Sequence, residues 1–207
     1  MLHLYPIMKV VYINLSHRKD RKEHIEQQLQ SWGVSYERMN AVPHEYGYLG
    51  CSQSHIRCLE RAIEQKWSRV CIVEDDMYIT DMKTFKQSIS FFLEMHSSWD
   101  VLLLGGNVGP PYLKVSGARR VMNAQSAVAY VVQQHYYETL LRNFKEGLRL
   151  CMAYDSRQYR IDMYWKRLQR NDLWYILDPL TIVQKEGYSD IEQKHTDYQS
   201  MMLSYKE

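Results

Sequence analysis

Short β-branched runs alternate with helix-spaced apolar residues over roughly the first 145 residues, and this rhythm narrows the possible folds more than any other feature. Residues 9–14 (KVVYIN) read as a strand. Ile25, Leu29 and Trp32 follow at helical spacing, with Asp20 and Glu23 expected to form a capping box and Gly33 to stop the helix. Residues 34–39 read as a second strand, and a second helix is expected from near Cys51, with Ile56, Leu59 and Ile63 on one face. Residues 69–73 form a third strand, and Asp81 is expected to cap a helix through Phe85, Ile89 and Phe92. Residues 100–104 and 127–132 read as the fourth and fifth strands, separated by a loop at 105–117, and a helix carrying Tyr137, Leu140 and Phe144 follows. The alternation predicts an α/β fold around a largely parallel sheet. The last third is less regular: residues 161–170 look helical, 173–176 and 180–183 look like short strands, and the tail from Ser189 is polar.

Hydrophobic residues make up 45% of the 207, enough for a full core and, at this length, for one domain. A net charge of +2 lacks the basic field of a nucleic-acid binder, so no nucleic-acid partner is expected. Cys51, Cys58, Cys71 and Cys151 lack the spacing of a disulfide framework and are expected as free thiols in a reducing compartment. No apolar run approaches the roughly 18 residues of a membrane span. Residues 1–8 lack a signal-peptide pattern. A cytoplasmic location is therefore expected, with any recruitment to a membrane or assembly site left to something outside the chain.

The chemistry concentrates where Val70, Cys71, Ile72 and Val73 run into Glu74, Asp75 and Asp76. Three like charges at the exit of a buried strand repel one another and ask for a cation. In an α/β fold the carboxyl ends of strands are where ligands bind, so the simplest reading is a divalent metal with an anionic group such as a phosphate beyond it. A solvated acidic turn is the plain alternative. Asn14 and Leu15, followed by Arg18 and Arg21, end the first strand with groups suited to a nucleotide, although the same charges suit a solvated basic helix start. Residues 47–55 lead from glycines into a helix start that favours an anion, with Gly50 in the turn and Ser54 offering a hydroxyl. Cys51, His55 and Cys58 mimic a zinc site, but a fourth ligand is missing, so they read as a packed helix face. Asp162 opens an amphipathic stretch and fits an N-cap, a role compatible with a place in a site. Asp190 and His195 stand in the polar tail, where a lone histidine usually faces solvent. Phosphate-loop and nucleophile-elbow motifs are absent.

Taken in order, YINLSHRKDR (12–21), GYLGCSQSH (47–55), VCIVEDD (70–76), SAVAYVV (126–132), the Ile161-Asp162 pair and PLTIVQ…SDI (179–191) resemble glycosyltransferase family 25, the lipopolysaccharide and collagen galactosyltransferase group. The resemblance implies a GT-A-type, Rossmann-like α/β/α sandwich with a mostly parallel sheet. It implies an inverting transfer of a hexose, galactose or glucose, from a UDP-sugar to a glycan or hydroxylysine-type acceptor, with Mn2+ or Mg2+. By position it makes Asp76 the first metal ligand and Glu74 the second, with Glu74 or Asp75 left for the ribose. Asn14, Leu15, Arg18, Arg21, Gly50 and Ser54 fall on the donor nucleotide, and Asp162 on the catalytic base. Either His195 or Asp190 completes the metal site. About residues 1–100 form the donor half and 101–207 the acceptor half, with Tyr112 and Trp165 as candidates to stack on sugar rings. The oligomeric state is open, a dimer included. Two other classes compete: a metal-dependent phosphoesterase or nuclease, where clustered acids hold two ions, and a non-catalytic nucleotide- or glycan-binding domain.

Overall fold

The structure, a computed structural model, describes residues 8–205. Apart from Met8, the signal-peptide reading of residues 1–8 lies outside the described residues. In chain order the elements are β1 (Lys9–Asn14), α1 (Lys19–Trp32), β2 (Tyr36–Asn40), α2 (Gly47–Glu64), β3 (Arg69–Glu74), β4 (Met77–Ile79), α3 (Met82–Met95), β5 (Val101–Leu103), β6 (Asn107–Val108), β7 (Tyr112–Val115), β8 (Ala118–Val121), β9 (Ala124–Gln125), β10 (Ala129–Gln133) and α4 (Tyr137–Tyr154). They continue with α5 (Ile161–Tyr164), α6 (Lys166–Gln169), β11 (Trp174–Leu177), β12 (Ile182–Gln184), β13 (Gly187–Ser189), β14 (Lys194–Thr196) and α7 (Gln199–Met202).

The period-2 side-chain alternation of the strands sorts the core into two layers. Val10, Tyr12, Cys71, Val73, Ala129 and Val131 pack with Ile25, Leu29, Trp32, Phe85, Ile89 and Phe92 of α1 and α3. Val11, Ile13, Val70, Ile72, Tyr130 and Val132 pack on the other face with Ile56, Leu59, Tyr137, Leu140 and Phe144 of α2 and α4. The result is an α/β/α sandwich around an eight-stranded sheet ordered β2-β1-β3-β10-β5-β11-β8-β7. Following the pairings, β2, β1, β3, β5, β11 and β7 run one way, and β10 and β8 run the other.

The reversal of β10 is what positions the site. Because β10 is antiparallel to β3, its start, Ala129, pairs with Val73 at the end of β3. The Glu74 N–H then donates to the Val128 carbonyl at 2.9 Å, which brings residues 126–128 beside the acid triplet. Residue 124, just upstream, is braced by two buried side chains. Gln169, fully buried, accepts from Ala124 N through Oε1 at 2.8 Å and donates through Nε2 to Ala124 O at 3.0 Å, while Trp165 Nε1 donates to the same carbonyl at 2.9 Å.

Several local expectations change. Arg18, not Asp20, is the N-cap of α1, and no side chain caps that end; Asp20 sits in the first turn, held by Arg18. Asp81 does cap α3, accepting from Thr84 N, and Gly33 ends α1 in the left-handed region. α2 begins at Gly47, four residues before Cys51. The expected loop at 105–117 contains β6 and β7, and β7 pairs with β8 to form one edge of the sheet. Trp165 is wholly buried in the core and offers no face to a sugar, and Tyr112 packs against Arg119 and Tyr205 on the edge strand β7.

Replacing Gln169 by Leu should lower the unfolding free energy by about 1–3 kcal/mol, because the Ala124 N–H would lose its buried partner. Urea unfolding measures this, and an unchanged midpoint would contradict the bracing role.

Candidate active site

β3 carries the chain to Glu74, and the turn at Asp75 and Asp76 leads directly into β4, so the three carboxylates form one wall. Asn14, at the end of β1, donates through Nδ2 to Asp75 Oδ2 at 2.7 Å. Arg21, in the first turns of α1, donates through Nη1 to Asp75 Oδ1 at 3.0 Å and Asp76 Oδ2 at 3.2 Å. Glu74 turns toward α2 instead: its Oε1 lies 3.3 Å from His55 Nε2 and accepts from Cys51 Sγ at 3.6 Å.

These partners split the triplet electrostatically. Burial would raise the Glu74 carboxyl, but His55, Cys51 and Arg21 bring it below its ordinary value. Burial raises Asp75 despite Arg21 and Asn14. Asp76 is pushed up to about 7 by burial and by the charge of Glu74, with Arg21 opposing. Its other oxygen, Oδ1, is buried without a hydrogen-bond partner. An orphaned, buried carboxylate oxygen beside a second carboxylate fits a hard divalent cation, which takes oxygen ligands. Asp76 and Glu74 are the residues that could hold it.

A cavity of about 330 Å³ opens over this wall. Asn14, Leu15, Arg21, Gly50, Ser54, Glu74, Asp75, Asp76 and Asp190 all line it, so most of the residues assigned to the donor and metal come together. Several are committed inside the protein. Asn14 Oδ1 accepts from Arg38 Nε and Nη2, and its Nδ2 also donates to Arg18 O, so its amide fixes the wall. The Ser54 hydroxyl donates to Gly50 O at 2.7 Å and accepts from Val42 N at 2.9 Å, stapling the loop after β2 to α2. At Gly50 a Cβ would meet the Val42 carbonyl at 2.4 Å, which makes glycine a requirement of that close approach. Arg18 lies outside the cavity lining, bound to Asp20 and Asp190. His195 is exposed on β14, 3.7 Å from Glu186, and lines neither this cavity nor its neighbour.

The neighbouring cavity, about 350 Å³, holds Asp162 and shares Cys51 and Glu74 with the first. Asp162 stands in the first turn of α5, whose N-cap is Arg160, so it is not the cap. Its Oδ2 instead accepts from the Ser126 N–H at 3.1 Å across the cavity wall. Ser126 reaches this position with a φ of 81°. Burial raises the Asp162 pKa, the Ser126 N–H opposes it and the charge of Glu74 adds to it. Tyr48 and Tyr198 are the aromatics lining this cavity, and the Arg160 guanidinium lies 4.4 Å from the Tyr48 ring centroid.

Arg38, His55, Tyr130 and Ser126 were not visible as site residues in the sequence. His55 carried a faint signal, one helical turn from Cys51 and on the buried face of α2. The others act through partners far away in sequence. The four cysteines are free, and among the described residues no helix is long and apolar enough to cross a membrane.

The sheet with a helical layer on each face is shared with solved glycosyltransferases. A glycosyltransferase involved in glycosylation of the major capsid of PBCV-1 superposes with a TM-score of 0.58 at 12% identity, covering 95% of this chain and 98% of that one. A mutant of Drosophila β-1,4-galactosyltransferase 7, solved with manganese, UDP-Gal and xylobiose, aligns with a TM-score of 0.49 at 11% identity over 94% of this chain and 78% of that one. No curated protein matches. The profile of glycosyltransferase family 25 (LPS biosynthesis protein) matches residues 45–154, more than half of the sequence. The chain belongs to that family, is a glycosyltransferase and has the GT-A-type fold. The matched span takes in Gly50, Ser54 and the acid triplet; Asn14, Leu15, Arg18, Arg21, Asp162 and His195 lie outside it.

Arg21→Met should destabilise the chelator-treated protein by about 3 kcal/mol, since it takes the guanidinium away from two largely buried carboxylates. Adding Asp76→Asn should recover part of that loss. Fully additive losses in urea unfolding would show that the two side chains are not coupled.

Proposed function

We propose that this glycosyltransferase moves a hexose, galactose or glucose, from a UDP-sugar to a hydroxyl of a glycan or hydroxylysine-type acceptor, with inversion at the anomeric carbon and Mn2+ or Mg2+ bound. The observation that carries this reading is the shared neck: the acid triplet and Asp162 line two cavities that meet at Cys51 and Glu74. One cavity suits a nucleotide diphosphate and the other an acceptor, with the reacting carbon between them. The donor half then falls mainly in about residues 1–100 and the acceptor half in about 101–207, although Tyr48 joins the acceptor side and Asp190 the donor side.

Asp76 and Glu74 would hold the cation, which when bound supplies positive charge to the departing diphosphate. Arg21 adds a fixed positive charge on the same wall. Asp75, or Glu74 where it is not spent on the cation, would accept from a ribose hydroxyl. Asp162 takes the proton of the acceptor hydroxyl as that oxygen attacks the anomeric carbon from the face opposite UDP. The new carbon–oxygen bond forms as the bond to the diphosphate breaks, and the displaced electron pair leaves with UDP. A raised proton affinity makes Asp162 a stronger base than an ordinary aspartate, and the Ser126 N–H orients it. Tyr48, with Arg160 against its ring, offers a stacking surface for the acceptor sugar.

Asp162→Asn should reduce transfer by on the order of a hundredfold or more while leaving UDP affinity nearly unchanged. In the wild type, lowering the pH protonates Asp162 and removes the base, so kcat/KM should fall on the acid side. The limb should lie above the ordinary aspartate value of 3.8. Coupled assays of UDP release and UDP calorimetry read both effects. Wild-type turnover by Asp162→Asn would remove Asp162 from the reaction.

A further inference from the structure

Cys51 and His55 stand one turn apart on α2 and face Glu74 at the end of β3. One donor atom from each of Cys51, His55 and Glu74 lies within 4.8 Å of the other two. The two separations to Glu74 Oε1 are 3.6 Å from sulfur and 3.3 Å from nitrogen. A tetrahedral Zn2+, with bonds of about 2.0–2.1 Å to nitrogen and oxygen and about 2.3 Å to sulfur, spaces its donors by roughly 3.3–3.7 Å. The two separations to Glu74 therefore match coordination spacing before any ion arrives, and the third lies within 4.8 Å.

Two further observations point the same way. His55 is fully buried, and its Nδ1 is 2.7 Å from the Tyr130 hydroxyl, with the two rings stacked at 18°. A second ring nitrogen anchored by an outer partner is the usual arrangement of a metal-bound histidine. Cys51 and Glu74 both line the two cavities, so a fourth coordination position would open to solvent. Cys58, the sequence candidate for this group, is fully buried in the core with Leu59 and Ala62. Glu74 takes its place as the third ligand.

We propose that Cys51, His55 and Glu74 form a three-ligand site for a soft divalent cation, Zn2+ foremost, an alternative to the Asp76 position with which it shares Glu74. Thiolate and imidazole select zinc over magnesium or manganese. Binding replaces the Cys51 S–H bond with a sulfur–metal bond and releases that proton to solvent, while the His55 ring binds through Nε2 with its N–H moved to Nδ1, facing the Tyr130 hydroxyl. A cation here sits at the neck between the two cavities and draws Glu74 away from the acid wall. The site stands on geometry alone and does not require the proposed transfer reaction.

The test is titration of the chelator-treated full chain with Co2+, a spectroscopic stand-in for Zn2+. One equivalent should produce a thiolate-to-cobalt charge-transfer band in the near ultraviolet together with tetrahedral d–d bands, and Zn2+ should then displace the cobalt. Cys51→Ser should abolish the charge-transfer band. Tyr130→Phe, which keeps the ring and all three ligands, should weaken Co2+ binding by about tenfold or more. Asp76→Asn should leave the band in place. No thiolate band in the wild type, a band that survives Cys51→Ser, or one that vanishes with Asp76→Asn would overturn the site. None of these outcomes bears on sugar transfer.

Discussion

Three carboxylates leave β3 together, and the surroundings have to make that tolerable. Arg21 supplies a full charge to Asp75 and Asp76, Asn14 donates to Asp75, and His55 turns Glu74 aside. The pieces come from β1, α1 and α2, so the elements around the C-terminal edge of the sheet are fixed by one electrostatic problem. It is not fully solved within the protein, since Asp76 keeps a buried oxygen without a partner. An acid wall short of positive charge suits a divalent cation.

Topology then decides what stands opposite the wall. With β10 inserted antiparallel between β3 and β5, the segment entering β10 passes the exit of β3. Ser126 is carried there, and through it Asp162 is held on a cavity that meets the cavity over the acid wall at Glu74. A parallel β10 would start at the other end of the sheet and separate Asp162 from the triplet. The β13–β14 hairpin closes the arrangement from the C-terminal side, where Ser189 and Ile191 line both cavities and the Tyr188 carbonyl accepts from Arg21.

Local pattern carried much of this into the sequence. β1 was readable to the residue, because KVVYIN is a buried parallel strand and little else. The buried faces of α1 and α3 followed from 3.6-residue spacing. The acid wall was readable because three acids after an apolar run repel one another unless a cation or solvent meets them. Strand direction was not readable, since a buried run such as AYVVQ looks the same whichever way it lies in the sheet. The roles of Arg38, Tyr130 and Gln169 were hidden because their partners lie 24, 75 and 45 residues away. The Cys51–His55 pair was visible as a helix face, but its third member came from a strand rather than from the next helical turn, so sequence spacing pointed to Cys58.

The central claim is that the two joined cavities are donor and acceptor halves of one inverting transfer site. Its most direct measurement is proton NMR of the linkage made when the protein turns over a UDP-α-hexose with Mn2+ and a saccharide acceptor. A β-linked product formed with stoichiometric release of UDP is the predicted result. An α-linked product, or no UDP release from any UDP-hexose, would contradict it.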